Sequence, residues 1–147
     1  MRSSDSQAIF EAFASWNKTL KQYEDYWAEN EAGGRTTLLA IEDGKVIGYG
    51  NLLSSSYYPP FKISGIPEIN DLNVVIPRQG RGVGRKLIVA LEDLAREKGF
   101  KLIGIGVGLG PDYRFAQGLY PRLGYVPDGR GVHKGEWDDE IYFTRAI

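Results

Sequence analysis

The sequence predicts an α/β domain built on a mixed sheet, and three observations predict it. Apolar residues in the first third recur at helical spacing: Ile9, Phe13, Trp16, Leu20, Tyr23 and Trp27 fall four and three apart on one face. Two apolar runs then flank the tight-turn pair Asp43-Gly44. From Glu68 onward, strand-like and helix-like segments alternate, which implies one strand–helix–strand crossover.

Taken in order, Asn17 or Thr19 can cap a second helix, so the first segment reads as two short helices with a kink. Gly33-Gly34 ends it. A stripe this short is core packing rather than a coiled coil. Thr37–Ile41 and Val46–Asn51 form the hairpin. Ser54 to Gly65, polar, aromatic and proline-bearing, reads as a loop. Glu68–Ile76 is a strand ending at Pro77. Leu87, Leu91 and Leu94, with Ile88 and Ala95, make the apolar stripe of a helix that stops at Gly99. Lys101–Gly110 is the next strand, Tyr113 to Leu123 a helix, and Tyr125-Val126 and Glu140–Thr144 supply the last strands.

A length of 147 residues suits one domain, 1–147, and such a chain buries enough surface to fold without metal or disulfide staples. Eighteen basic residues against 19 acidic ones argue against nonspecific nucleic-acid binding. There is no cysteine, so thiolate ligands and a cysteine nucleophile are excluded. The single histidine, His133, cannot make a metal cluster, and no metal is expected. Neither a signal-peptide run nor a bilayer-length apolar stretch is present, so a cytoplasmic protein with no membrane association is expected.

The most informative segment is Gln79-Gly80-Arg81-Gly82-Val83-Gly84, between a strand and the start of a helix. Three alternating glycines there leave backbone N–H groups free to converge on an anion, and the helix dipole adds positive potential. Arg78, Arg81, Arg85 and Lys86 concentrate positive charge at the same place. The plainer alternative is a turn that needs glycine for geometry alone. The P-loop pattern fails because Arg85-Lys86 stands where Lys-Ser/Thr is required, and a dinucleotide fingerprint lacks its third small residue.

These residues, with Asp71-Leu72-Asn73-Val74 before them and Ala116, Leu119-Tyr120 and Leu123-Gly124-Tyr125 after, resemble the GNAT N-acetyltransferases. The signature Arg/Gln-x-x-Gly-x-Gly/Ala appears as Gln79, Gly82 and Gly84. The likeness spans roughly residues 35–126 and is sharpest over 71–125. It implies the GNAT acyl-CoA-binding fold: a mixed, mostly antiparallel sheet with splayed central strands, flanked by helices, that inserts the pantetheine arm between those strands. It also implies acetyl-CoA as cosubstrate. Leu72 N–H would face the thioester carbonyl and Val74 would pair with the pantetheine amides. The amides of Gln79, Gly80, Arg81, Gly82, Val83, Gly84 and Arg85 would hold the pyrophosphate. Where the family often carries a helix asparagine, this chain has Tyr113. The family often begins with a strand, but here the helical pattern starts within the first few residues.

The resemblance makes Tyr120 the acid that protonates the departing thiolate, against the alternative of a core tyrosine. Glu68 is the favoured base, with Asp71 behind it and water-relayed proton removal as the open alternative. Regular alternation would point Glu68 and Asp71 to opposite faces, unless a bulge intervenes. Gly104, Gly106, Gly108 and Gly110 leave one face of their strand bare, for a packed helix or for a ligand arm. The loop Asp128–His133 is expected to be exposed. Tyr57 to Phe61 can wall an acceptor pocket or pack in the core.

The activity implied is acetyl transfer from acetyl-CoA to a primary amine by direct attack in a ternary complex. The acceptor would be a small molecule or a peptide. The alternative is a noncatalytic acyl-CoA-binding or sensor domain on the same fold. Glu24, Asp25, Glu29 and Glu31 can attract a cationic amine or simply face solvent. A homodimer is the assembly that family and symmetry preferences suggest.

Overall fold

The structure, a computed structural model, describes residues 1–135 and 138–147. Two helices come first, α1 (Asp5–Ala12) and α2 (Leu20–Ala32). Thr19 caps α2 by accepting from Gln22 N–H, and Gly33 ends it in the left-handed conformation at φ 85°. Because α2 starts afresh after the break, its phase shifts: Tyr23 and Tyr26 are the buried pair, while Trp27 is only half-buried. No strand precedes α1 in the described residues.

The hairpin is β1 (Arg35–Glu42) and β2 (Lys45–Leu53). Asp43 and Gly44 both have positive φ, as a two-residue turn matching the strand twist requires. Within Ser54 to Gly65, read from sequence as loop, lies a short helix, α3 (Pro59–Ser64). Its two prolines occupy the first turn, where a missing N–H costs nothing. Then follow β3 (Glu68–Val74), α4 (Val83–Glu97), β4 (Leu102–Gly108), α5 (Arg114–Arg122), β5 (Val126–Lys134) and β6 (Asp139–Ala146). The glycine-rich stretch after Pro127, expected as loop, belongs to β5. It forms a register break between Pro127 and Val132, beyond which pairing with β6 resumes. His133 is exposed as expected.

One six-stranded sheet has the order β1-β2-β3-β4-β6-β5, antiparallel except for the β3–β4 pair. That pair is joined only at Glu68↔Gly104 and Ile69↔Ile105. Beyond it, β3 stays with β2 and β4 with β6, so the sheet parts down its middle. The main core lies on one face, where Leu52, Ile69, Ile103, Ile105 and Val107 meet Ile88, Leu91 and Ala95 of α4 and Tyr120 of α5. On the other face, α1 and α2 cover Tyr49 with Ile9, Phe13 and Tyr23.

The bare glycine face of β4 is filled by aromatic rings. A Cβ at Gly106 would lie 2.7 Å from the Tyr142 ring, and one at Gly108 would lie 2.5 Å from that of Tyr113. Gly104 likewise faces Phe61, the residue by which α3 packs on the sheet. Tyr58 and Phe61 are therefore core residues, whereas Tyr57 is exposed.

Candidate active site

The parted strands open a gap with polar backbone on its β3 side. Val75 N–H bonds Ile47 O on β2 at 2.9 Å. By strand alternation, Val74 and Leu72 turn their N–H and C=O groups the other way, toward the gap. The Val74 carbonyl already takes a hydrogen bond from Gln79 Nε2 at 3.0 Å. The Leu72 side chain points to the α4 face, near Gly50 and Gly84.

Below the gap, Gly80 and Gly82 adopt positive φ of 74° and 84°, and nothing lies within 4 Å of where their Cβ atoms would be. Gly82 is the N-cap of α4. No side chain caps this end and its first turn carries no acid. The first helical bond runs from Lys86 N–H to Gly82 O at 3.0 Å, so the amides of Gly80 to Arg85 are left for another acceptor, whereas that of Gln79, expected among them from sequence, is taken by Ile76 O at 3.2 Å. Arg81, Arg85 and Lys86 are exposed around them, with no ion pair among the described residues. Arg78, counted with them from sequence, is committed elsewhere, to Glu42 at 2.6 Å. An open groove of about 420 Å³ continues from Gly82 along Arg85, Lys86, Val89, Ala90 and Asp93. Orphan amides, absent side chains and free cations together suit a phosphate group.

Tyr120 is buried between Tyr125 and Phe143, with ring centroids 6.1 and 6.5 Å away. Among the described residues its hydroxyl has no hydrogen-bond partner, and no buried side-chain polar atom is unpartnered. Burial pushes its pKa up to about 12, so the phenol keeps its proton at neutral pH.

Glu68 and Asp71 share the face opposite Tyr120, against regular alternation. The reason is a bulge: the β2–β3 register slips between Tyr49 and Asn51, and Asp71 takes φ 46°. Glu68 is buried and accepts from Ser56 Oγ at 2.5 Å. Burial raises its pKa, helped by the charge of Glu140, against the lowering hydrogen bond from Ser56. For Asp71, burial also works upward, but the charge of Lys18 and hydrogen bonds from Lys18, Tyr26 and Tyr49 outweigh it. They hold its carboxyl below the usual range.

The sequence did not bring several of these neighbours forward. Lys18 Nζ lies 2.7 Å from Asp71 Oδ1, and Asn73 Nδ2 donates to the same oxygen at 2.7 Å. Tyr26 Oη and Tyr49 Oη donate to Asp71 Oδ2 at 2.7 and 2.8 Å. Only the Asn-Asp-Leu-Asn run of poor strand formers at 70–73 hinted at an irregular strand. Of the acidic helix residues, Glu29 pairs with Arg35 and Asp25 with Lys21. His133 packs edge-on to Tyr58, with 5.2 Å between ring centroids.

Residues 5–125 match the family model for the acetyltransferase (GNAT) family. An uncharacterized N-acetyltransferase of Bacillus subtilis, YhfO, is 30% identical over 142 residues, covering 90% of this chain and 91% of its own. Among solved structures, the ribosomal-protein-alanine N-acetyltransferase of Brucella melitensis superposes with a TM-score of 0.76. It shares 20% identity and covers 100% of this chain and 97% of its own. The protein yncA of Salmonella typhimurium, solved with its cofactor acetyl-CoA, gives 0.75 at 23% identity, with 99% and 90% covered. The alternation of splayed strands and glycine-led helix is thus the frame of a known enzyme class: this chain belongs to the GNAT acetyltransferase family and is an N-acetyltransferase.

Proposed function

We propose that the chain transfers the acetyl group of acetyl-CoA directly to a primary amine, with both substrates bound at once. The observation that carries this reading is the gap between β3 and β4. It is lined by Leu72 and Val74 backbone and leads to the uncapped N-terminus of α4. The cosubstrate supplies an activated thioester. In this reading the amides from Gly80 to Arg85 hold its pyrophosphate, while Gln79 N–H stays on Ile76 O at 3.2 Å, and Val74 pairs with the pantetheine arm. Gln79 Nε2 leaves the Val74 carbonyl to allow that pairing.

Leu72 N–H stabilises the oxyanion that grows on the carbonyl as the amine attacks. Tyr120 and Glu68 lie on opposite faces of the sheet, so they approach the gap from opposite sides. That arrangement suits a reaction in which the amine enters on one side and the thiolate leaves on the other. Tyr120 gives its proton to the departing sulfur. Glu68, with its raised pKa, takes the proton from the incoming ammonium, directly or through water. Asp71 is the poorer base, because its hydrogen bonds favour the carboxylate and weaken its hold on a proton. Thiol release from acetyl-CoA across a panel of primary amines tests the reading. Release that depends on amine and on Glu68 supports it; tight acetyl-CoA binding with no amine-dependent release overturns it.

A further inference from the structure

Asp71 is a carboxylate with more partners than it needs. Tyr26, Tyr49 and Asn73 each donate at 2.7–2.8 Å, and Gln22 Nε2 adds a longer bond at 3.4 Å. The three short bonds take three of the roughly four lone-pair positions of a carboxylate, and the long one from Gln22 shares Oδ2 with the two tyrosines. Together with the charge of Lys18 they hold Asp71 ionised against its burial. The ammonium of Lys18 then occupies the remaining position, on Oδ1.

Lys18 reaches Asp71 from the break between α1 and α2, outside regular structure. Its side chain has one recorded hydrogen bond among the described residues, to Asp71, so two of its three N–H groups are left to water. Both side chains keep some exposure, 20% for Lys18 and 17% for Asp71. Asp71 also sits at the bulge, in a backbone conformation uncommon for a residue with a side chain. It directly precedes Leu72, whose N–H faces the gap. A strained, ionised carboxylate beside the gap, holding an alkylammonium on a flexible stem, is a binding site already filled by the chain itself.

We propose that Asp71 is the docking point for the acceptor's ammonium group, that Lys18 occupies it in the free protein, and that acceptors of the unbranched primary alkylamine class displace Lys18. Lys18 brings its cation to Asp71 on an unbranched four-carbon stem, beside the Tyr26 and Tyr49 hydroxyls that hold Oδ2, and an α-amine flanked by a peptide backbone has no such stem. This inference rests on the acetyl-transfer reading for its meaning, but its test does not need turnover.

The test is calorimetric titration of 1,5-diaminopentane into the full chain with CoA present, for the native protein, Lys18→Met, Lys18→Arg and the double variant Lys18→Met/Asp71→Asn. Removing the internal competitor should tighten diamine binding at least about tenfold, since apparent affinity scales with the fraction of open sites. Lys18→Arg, which keeps a cation on Asp71, should bind like the native chain, and the double variant should lose the gain. A trialanine amide should bind Lys18→Met and the native chain alike. Unchanged diamine affinity in folded Lys18→Met, or a gain that survives Asp71→Asn, overturns the proposal. Absence of acetyl transfer with the binding gain intact would instead count against the catalytic reading alone.

Discussion

Gly106 lies beneath the ring of Tyr142, so close that a Cβ on the glycine would come within 2.7 Å of Tyr142 Cε1. Tyr142 cannot easily retreat, because it is stacked on Tyr58 with centroids 3.7 Å apart and planes 2° from parallel. Gly106→Ala should therefore destabilise the fold by about 2 kcal/mol, as overpacking a filled core does. Gly34→Ala, with nothing within 4 Å, should change stability by less than about 0.5 kcal/mol. Urea unfolding of the two variants checks the pair.

Glu92 of α4 is buried and accepts from Tyr125 Oη at 2.9 Å and Arg145 Nη1 at 2.6 Å. It ties the helix to the start of β5 and to β6. Glu92→Ala leaves a buried phenol and a guanidinium without their acceptor. Because Arg145 is a third exposed, the loss should be about 2–3 kcal/mol, at the low end for a broken buried pair. Glu92→Gln should cost less, since its amide oxygen can still accept from one of them. Thermal unfolding measures both.

Tyr120→Phe removes a hydroxyl with no hydrogen-bond partner among the described residues. Stability should hardly change, while kcat should fall by about 100-fold if this phenol is the acid. The dissociation constant for CoA should stay put. A kcat equal to that of the native chain removes Tyr120 from the proton path.

Glu68 and Asp71 should give opposite slopes of stability against pH. The folded state raises the pKa of Glu68. Its favourable contribution is complete below about pH 4.3, the unfolded value, and is lost as pH rises through the raised one. Glu68→Gln should thus stabilise the fold at neutral pH, with the gain gone in acid, even as acetyl transfer drops. Asp71 is held low. Its contribution is present above about pH 3.9 and is lost as pH falls through the lowered value. Asp71→Asn should weaken the fold at neutral pH, and the deficit should shrink in acid. Urea midpoints of the two variants across this range decide the signs.

The elements read most clearly from sequence are those whose causes are local. Asp43-Gly44 specifies its turn by backbone chirality, and Leu87, Leu91 and Leu94 specify the buried stripe of α4. The glycine turn was legible for the same reason, since positive φ at Gly80 and Gly82 is a property of those residues. The parting of β3 from β4 is not local, and only the resemblance to a known family foretold it. Helix α3 was missed because Pro59-Pro60 looks like a breaker when it is in fact a first turn. Lys18 was invisible as a partner of Asp71: 53 residues separate them, and nothing in either segment's pattern announces the meeting. The bulge that brings Asp71 to the face of Glu68 lies between these cases, since a strand written Asn-Asp-Leu-Asn departs from ordinary strand composition.

Two rungs, Glu68↔Gly104 and Ile69↔Ile105, are all that join β1-β2-β3 to β4-β6-β5 within the sheet. Within the sheet these are two plates stitched at one corner, with the core under α4 and α5 bridging the seam between them. An extended molecule lying in that seam with amide groups of its own would serve as the missing stitching. Its occupancy would then be felt as cohesion, adding about 2.7 kcal/mol of resistance to unfolding at a hundredfold excess over its dissociation constant. On the proposed reading, acetyl-CoA would be, for as long as it stays, also part of the sheet.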